Sequence, residues 1–154
     1  MSELKGKIRA DLTASMKARD RDRTGTLRML LSALTQEETT GTKHELGDEE
    51  VLKVIAREIK KRHESAEVYA ENGRGELAET ELKEAAILES YQPRQLSDEE
   101  LNELVDASIT EVAQAHGGEV GMRNMGEVMR AATAAAAGRA DGKRLSTAVK
   151  SRLS

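Results

Sequence analysis

Apolar residues recur at three- and four-residue intervals along almost the whole chain, the spacing that gives an α-helix one buried face. Leu4, Ile8, Leu12 and Met16 make a first stripe, closed by the charged run from Lys17 to Arg23. Leu27, Leu30, Leu31 and Leu34 make a second, and the polar stretch from Thr39 to Gly47 ends it. Asp48 is placed to cap a third helix, with Glu49 and Glu50 at the positive end of its dipole. That helix carries Val51, Val54, Ile55, Ile59, Ala66 and Tyr69 to a stop at Asn72-Gly73. A fourth covers Leu77 to Leu88 before Tyr91-Gln92-Pro93.

The next start is the sharpest. Ser97-Asp98-Glu99-Glu100 has the form of a capping box, in which the serine hydroxyl accepts from the Glu100 amide and the Glu100 carboxylate reaches back. Leu96 and Leu101 flank it as a hydrophobic staple. Leu101, Leu104, Val105, Ile109 and Val112 supply the buried face as far as Gly117-Gly118. Met122, Met125, Val128, Met129 and Ala132 stripe the following segment, where the methionines read as core. It continues as helix through the alanines of 131–137, alanine being the best helix former, to a cap at Gly138. Asp141 then caps a last helix bearing Leu145, Val149 and Leu153. About seven helices result, with a boundary near residues 92–96 marked by Pro93, the single proline.

Composition narrows the class. Aromatic residues are limited to Tyr69 and Tyr91, which disfavours a β-sandwich or barrel. The expectation is an all-α protein: an N-terminal helical domain over 1–92 and a small three-helix domain over 97–154. Without cysteine there is no disulfide, thiol nucleophile or thiolate metal site. No stretch approaches the roughly 18 apolar residues of a membrane span, and Met1 to Lys5 lacks a signal peptide's apolar run. A soluble, cytoplasmic protein is expected.

Charge is distributed unevenly. Residues 97–120 hold seven acids and no Lys or Arg, whereas 121–154 hold seven bases against Glu127 and Asp141. A basic end of this kind points to an anionic partner. Gly138-Arg139-Ala140-Asp141-Gly142-Lys143-Arg144 falls short of a phosphate loop. Three residues separate its glycines where four are needed, and Arg144 stands where a Ser or Thr would hold a metal ion. Two readings stay open: a phosphate held by the amides of a helix start beside Lys143 and Arg144, or simply a C-cap and an N-cap of adjacent helices. His44, His63 and His116 lie far apart and read as surface residues. No catalytic residue, metal site or cofactor is assigned. The basic runs Lys17–Arg28 and Arg57–Arg62 read as solvated faces. With two tyrosines a base-stacking platform is disfavoured, so any RNA would be held by backbone and shape.

Tyr91-Gln92-Pro93-Arg94-Gln95-Leu96-Ser97-Asp98-Glu99-Glu100-Leu101, Met125-Gly126-Glu127-Val128-Met129 and Gly138-Arg139-Ala140-Asp141-Gly142 resemble the GatB/YqeY family. Met16-Lys17, Leu27-Arg28-Met29-Leu30 and Arg57-Glu58-Ile59-Lys60-Lys61-Arg62 extend the resemblance over essentially the whole chain. It implies a stand-alone YqeY-like protein whose last domain is similar to the tail of the B subunit of tRNA-dependent amidotransferase, a tail that contacts tRNA. Departures are the alanines of 131–137 and the glycine-rich loop from His116 to Met122.

The resemblance and the basic end together suggest a non-catalytic module that binds tRNA or a tRNA-handling complex, without a small-molecule cofactor. Arg139, Lys143 and Arg144 are the expected phosphate contacts, supported by Arg123, Arg130 and Lys150. Two alternatives stand beside it. One is participation in glutamine-dependent amidation of mischarged tRNA, a carbon–nitrogen ligase activity that the family implies and no residue here supports as an autonomous reaction. The other is a protein–protein adaptor that uses the acidic 97–120 helix.

Overall fold

The computed structural model describes residues 2–154, which hold seven α-helices, one 3₁₀ turn and no β-strand. The chain forms two compact units, one ending at Gln92 and the other running from Pro93 to Ser154.

In the first unit α1 spans Glu3–Lys17, α2 Arg21–Thr39, α3 Asp48–Glu71 and α4 Gly75–Glu89. Helix α3 packs along α4, while α2 touches α1, α3 and α4. The stripes read from the sequence meet in one core of Ile8, Leu27, Leu30, Leu34, Val51, Val54, Ile55, Ile59 and Leu88. Leu46 plugs into this core from the α2–α3 loop.

Asp48 does not cap its own helix. Gly47 is the N-cap of α3, and the Glu50 carboxylate accepts from the Gly47 amide at 3.3 Å. Asp48 instead accepts from the Ser2 hydroxyl and from the Leu4 amide. Ser2 in turn accepts from the Lys5 amide, so the first turn of α1 is closed by a residue 46 positions away from Ser2. At its other end α3 stops at Gly73, whose φ of 72° suits glycine.

Tyr91 follows α4 and is buried in the core. Its hydroxyl donates to the Asp11 carboxylate at 2.7 Å and accepts from the Arg23 guanidinium at 3.3 Å, while the Lys7 ammonium lies 5.0 Å from the ring centre. The bond from Tyr91, then that from Lys7, holds the Asp11 carboxyl below the usual carboxylate range. Burial first, and Asp11 second, push the phenol well above its ordinary value.

Arg62 departs from the solvated face expected of the 57–62 run. It is 4% exposed, donating to the Glu58 carboxylate and carbonyl and, at 3.2 Å, to Glu84 on α4. A guanidinium taken out of water has to be paired on all sides, and Glu84 supplies what α3 alone cannot.

In the second unit α5 spans Asp98–His116, a 3₁₀ turn Met122–Asn124, α6 Met125–Ala136 and α7 Gly142–Leu153. The three helices pack on one another around Leu96, Leu101, Val105, Val112, Val128, Ala132, Ala136, Leu145 and Val149. Ala132 and Ala136 are fully buried, so the alanines contribute close helix approach as well as helix propensity. The capping box at Ser97 forms in full: Ser97 Oγ accepts from the Glu100 amide at 3.1 Å, and Glu100 accepts from the Ser97 amide at 3.0 Å.

Met122 corrects the expectation of a core methionine. The 3₁₀ turn, with three residues per turn, rotates it off the α6 stripe, and it is 48% exposed, whereas Met125 and Met129 pack against the core. Helix α6 ends one residue earlier than expected, with Ala137 as C-cap at φ 49° and Gly138 following at φ 82°.

Two outcomes are expected. Arg62→Ala strands Glu84 and Glu58 and should lower the urea-unfolding stability of the first unit by about 2–4 kcal/mol, with Arg62→Lys intermediate. The bonds from Arg94, then from Ser97, hold the Glu100 carboxyl at about 2 instead of 4.5. A depressed carboxyl stabilises the fold in full above its ordinary value and loses that contribution as pH falls through the folded one. Glu100→Gln should therefore flatten the fall in melting temperature between roughly pH 4.5 and pH 2 and leave the profile above pH 5 parallel to that of the parent.

Candidate polyanion-binding surface of the C-terminal unit

The six cations singled out in the sequence fall into two groups. Arg139, in the α6–α7 connection, turns its guanidinium back on the end of α6 and donates to the carbonyls of Ala136 and Ala135, each at 2.9 Å. It neutralises the negative end of that helix dipole. Arg144, in the first turn of α7, donates to the Leu96 carbonyl at 2.8 Å and to the Asp98 carboxylate at 3.0 Å. Both are half-buried and serve the fold.

Lys143, Lys150, Arg123 and Arg130 form the second group. All four are exposed, and none makes a side-chain hydrogen bond or ion pair among the described residues. Lys143 and Lys150 are seven residues apart on α7, hence on one face, opposite the buried Leu145 and Val149. Arg123 and Arg130 have the same spacing across the 3₁₀ turn and α6. Arg130 acts at a distance on Glu127, whose carboxyl is lowered chiefly by its hydrogen bond from His116.

The glycine-bracketed segment forms caps at both of its helix ends. Asp141 is the N-cap of α7 and accepts from the Arg144 amide at 2.8 Å. The same segment holds the stretch before α5: the Leu96 amide donates to the Arg139 carbonyl at 2.8 Å, and the Gln95 amide group to the Gly138 carbonyl at 3.2 Å.

The acidic helix takes up part of the basic end: besides Asp98 with Arg144, Asp106 pairs with Arg152 at 3.2 Å. Outside that end, Glu100 takes both arms of Arg94 at 3.1 and 2.7 Å. Two of the three pairs join residues 46 positions apart, a separation that helical period and local caps do not reach.

Each histidine meets a glutamate: His44 with Glu50 at 2.8 Å, His63 with Glu89 at 3.0 Å and His116 with Glu127 at 2.7 Å. The Glu50 contact raises the His44 imidazole above its ordinary value. Among the described residues no three His, Asp or Glu side chains converge on a point where a metal ion could sit. No described helix is long and apolar enough to cross a membrane.

A family model described as "Yqey-like protein" matches residues 5–153. Two fungal proteins are similar to the chain. "Altered inheritance of mitochondria protein 41, mitochondrial" of Kluyveromyces lactis is 33% identical over 85 residues, which is 55% of this chain and 46% of that protein. The chain thus matches about half the length of that relative. "Uncharacterized protein C22F3.15" of Schizosaccharomyces pombe is 33% identical over 95 residues, 62% of this chain and 76% of that protein.

The internal role of Arg144 has a measurable consequence. Arg144→Ala leaves the Leu96 carbonyl without its donor and should destabilise the second unit by about 1.5–3 kcal/mol in denaturant unfolding. Lys143→Ala, at the neighbouring exposed position, should stay within about 0.5 kcal/mol of the parent.

Proposed function

This chain belongs to the YqeY-like protein family, and on that footing we propose that it is a helical RNA-binding module whose C-terminal unit grips the phosphate backbone of a folded RNA, tRNA being the preferred ligand. One observation carries the reading: Lys143, Lys150, Arg123 and Arg130 project from α6, α7 and the adjoining turn with no internal side-chain partner, while neighbouring cations are engaged within the fold. Such exposed ammonium and guanidinium groups exchange condensed counterions for contacts with a polyanion. Arg139 and Arg144 act as positioning residues: one ends α6 and the other fixes α7 against the α5 cap, and so they set the faces on which the four cations stand.

The choice of tRNA comes from the similarity of the second unit to the amidotransferase tail. Binding by backbone and shape suits a unit without Phe, Tyr or Trp, since residues 93–154 contain none of the three. Participation in glutamine-dependent amidation of mischarged tRNA, carbon–nitrogen ligase chemistry, would need the same grip on tRNA. The binding measurement therefore precedes it.

With about four phosphate contacts, affinity for tRNA should fall roughly 150-fold between 50 and 200 mM salt. Lys143→Glu/Lys150→Glu and Arg123→Glu/Arg130→Glu should each weaken binding tenfold or more in fluorescence anisotropy, with helicity unchanged. Salt-independent binding, or reversed variants that bind like the parent, would remove the proposal.

A further inference from the structure

The N-terminal unit carries a second set of cations that the RNA reading leaves unused. Along α2 an open groove faces α3, lined by Arg28, Met29, Ser32 and Gln36 on one side and by Arg57 and Lys61 on the other. At Arg28 it meets a depression beside the α1–α2 turn, lined by Met16, Arg19, Arg21 and Thr24. From Arg21 to Gln36 the joined surface follows α2 for roughly 22 Å, the length of about 15 helical residues.

Its chemistry is amphipathic. Met16 is 44% and Met29 47% exposed, well above what a buried-face methionine shows. Arg19 and Arg21 make no side-chain bond among the described residues, and Arg28 reaches only the Met16 sulfur at 3.3 Å. Two carboxylates lie in the groove, but each is matched: Glu37 by Arg57 at 3.3 Å, and Glu58 by Arg62 and Lys61. Three guanidinium groups are therefore left over.

Two of the three sit where folding alone would not put them. Arg21 is the first residue of α2, at the positive end of the helix dipole, where an acidic residue is preferred. Arg19 holds a left-handed backbone at φ 59°, which is unfavourable for a residue with a Cβ. Neither recovers that cost through an internal side-chain contact.

We propose that this surface docks an acidic amphipathic helix of a partner protein, with carboxylates on Arg19, Arg21 and Arg28 and apolar side chains on Met16 and Met29. Charge complementarity selects an acidic occupant. The methionines select a protein over a nucleic acid, because flexible thioethers adapt to apolar side chains and offer a phosphate nothing. The guanidinium fork suits carboxylates presented at helical spacing.

The test uses the full chain and a fluorescein-labelled synthetic peptide of about 15 residues, with leucine at three- and four-residue spacing and glutamate on the flanking positions. A peptide of the same composition with the spacing scrambled is the control. The designed peptide should bind at least tenfold tighter than the control, and its amide-shift perturbations should centre on residues 16–36. Arg21→Glu/Arg28→Glu, in which position 21 gains the residue the dipole favours, should weaken binding tenfold or more. Met16→Gln/Met29→Gln should weaken it at least threefold. Lys143→Glu/Lys150→Glu should leave it unchanged, which separates this surface from the RNA-binding one. Equal binding of designed and scrambled peptides, or variants indistinguishable from the parent, would overturn the proposal. So would loss of tRNA affinity in Arg21→Glu/Arg28→Glu, because the groove would then serve RNA.

Discussion

The C-terminal unit depends on how the five residues before α5 are held. Leu96 must stay buried to close the core over Leu101, yet its own amide and carbonyl then need partners away from water. The α6–α7 connection supplies both: the Arg139 carbonyl takes the amide, and the Arg144 guanidinium donates to the carbonyl. This requirement accounts for features that look unrelated along the chain. Ala137 and Gly138 reverse the chain sharply enough to present the Arg139 carbonyl. Asp141 restarts the helix in time for Arg144 to face Leu96, and Arg144 then reaches Asp98 in the first turn of α5.

One consequence is that basic residues close together in sequence do different work. In 139–152 the cations alternate between those turned toward α5 or α6 and those turned to solvent, because the face of α7 decides, not the composition. Leu145 and Val149 fix the buried side of α7, and Lys143 and Lys150 are what remains opposite. The same logic applies in the first unit, where Arg62 lies on the inner side of α3 and Arg57, five residues earlier, pairs at the surface with Glu37. A count of charge over a window averages these roles together.

Helix number, helix type and most of the core were legible because apolar spacing and caps are local properties. Ile8, Leu30, Ile55, Val105 and Val149 are buried where their stripes put them, and Ser97 and Asp141 cap where their side chains predict. What escaped was set by partners far along the chain. Asp48 looks like a cap of its own helix until Ser2 arrives from α1. Arg62 looks solvated until Glu84 arrives from α4. Met122 was misplaced for a local reason, a change from 3.6 to three residues per turn that alters which face it occupies. Of the six cations, those opposite the buried stripe of a helix could be picked out by period. The engagement of Arg144 could not, because Asp98 and the Leu96 carbonyl lie on the other side of two turns.

Tyr91 gives the molecule an unusual optical asymmetry. Both phenol rings lie in the first unit, one of them buried with its hydroxyl on Asp11, and the second unit has no chromophore beyond the peptide bond itself. Near-ultraviolet absorption, dichroism and intrinsic emission therefore report on α1 to α4, through Tyr69 on α3 and Tyr91 after α4, and are blind to α5, α6 and α7, which only far-ultraviolet or resonance methods follow. Melting curves recorded in the two spectral regions amount to separate recordings of the two halves of a single polypeptide, without a label on either.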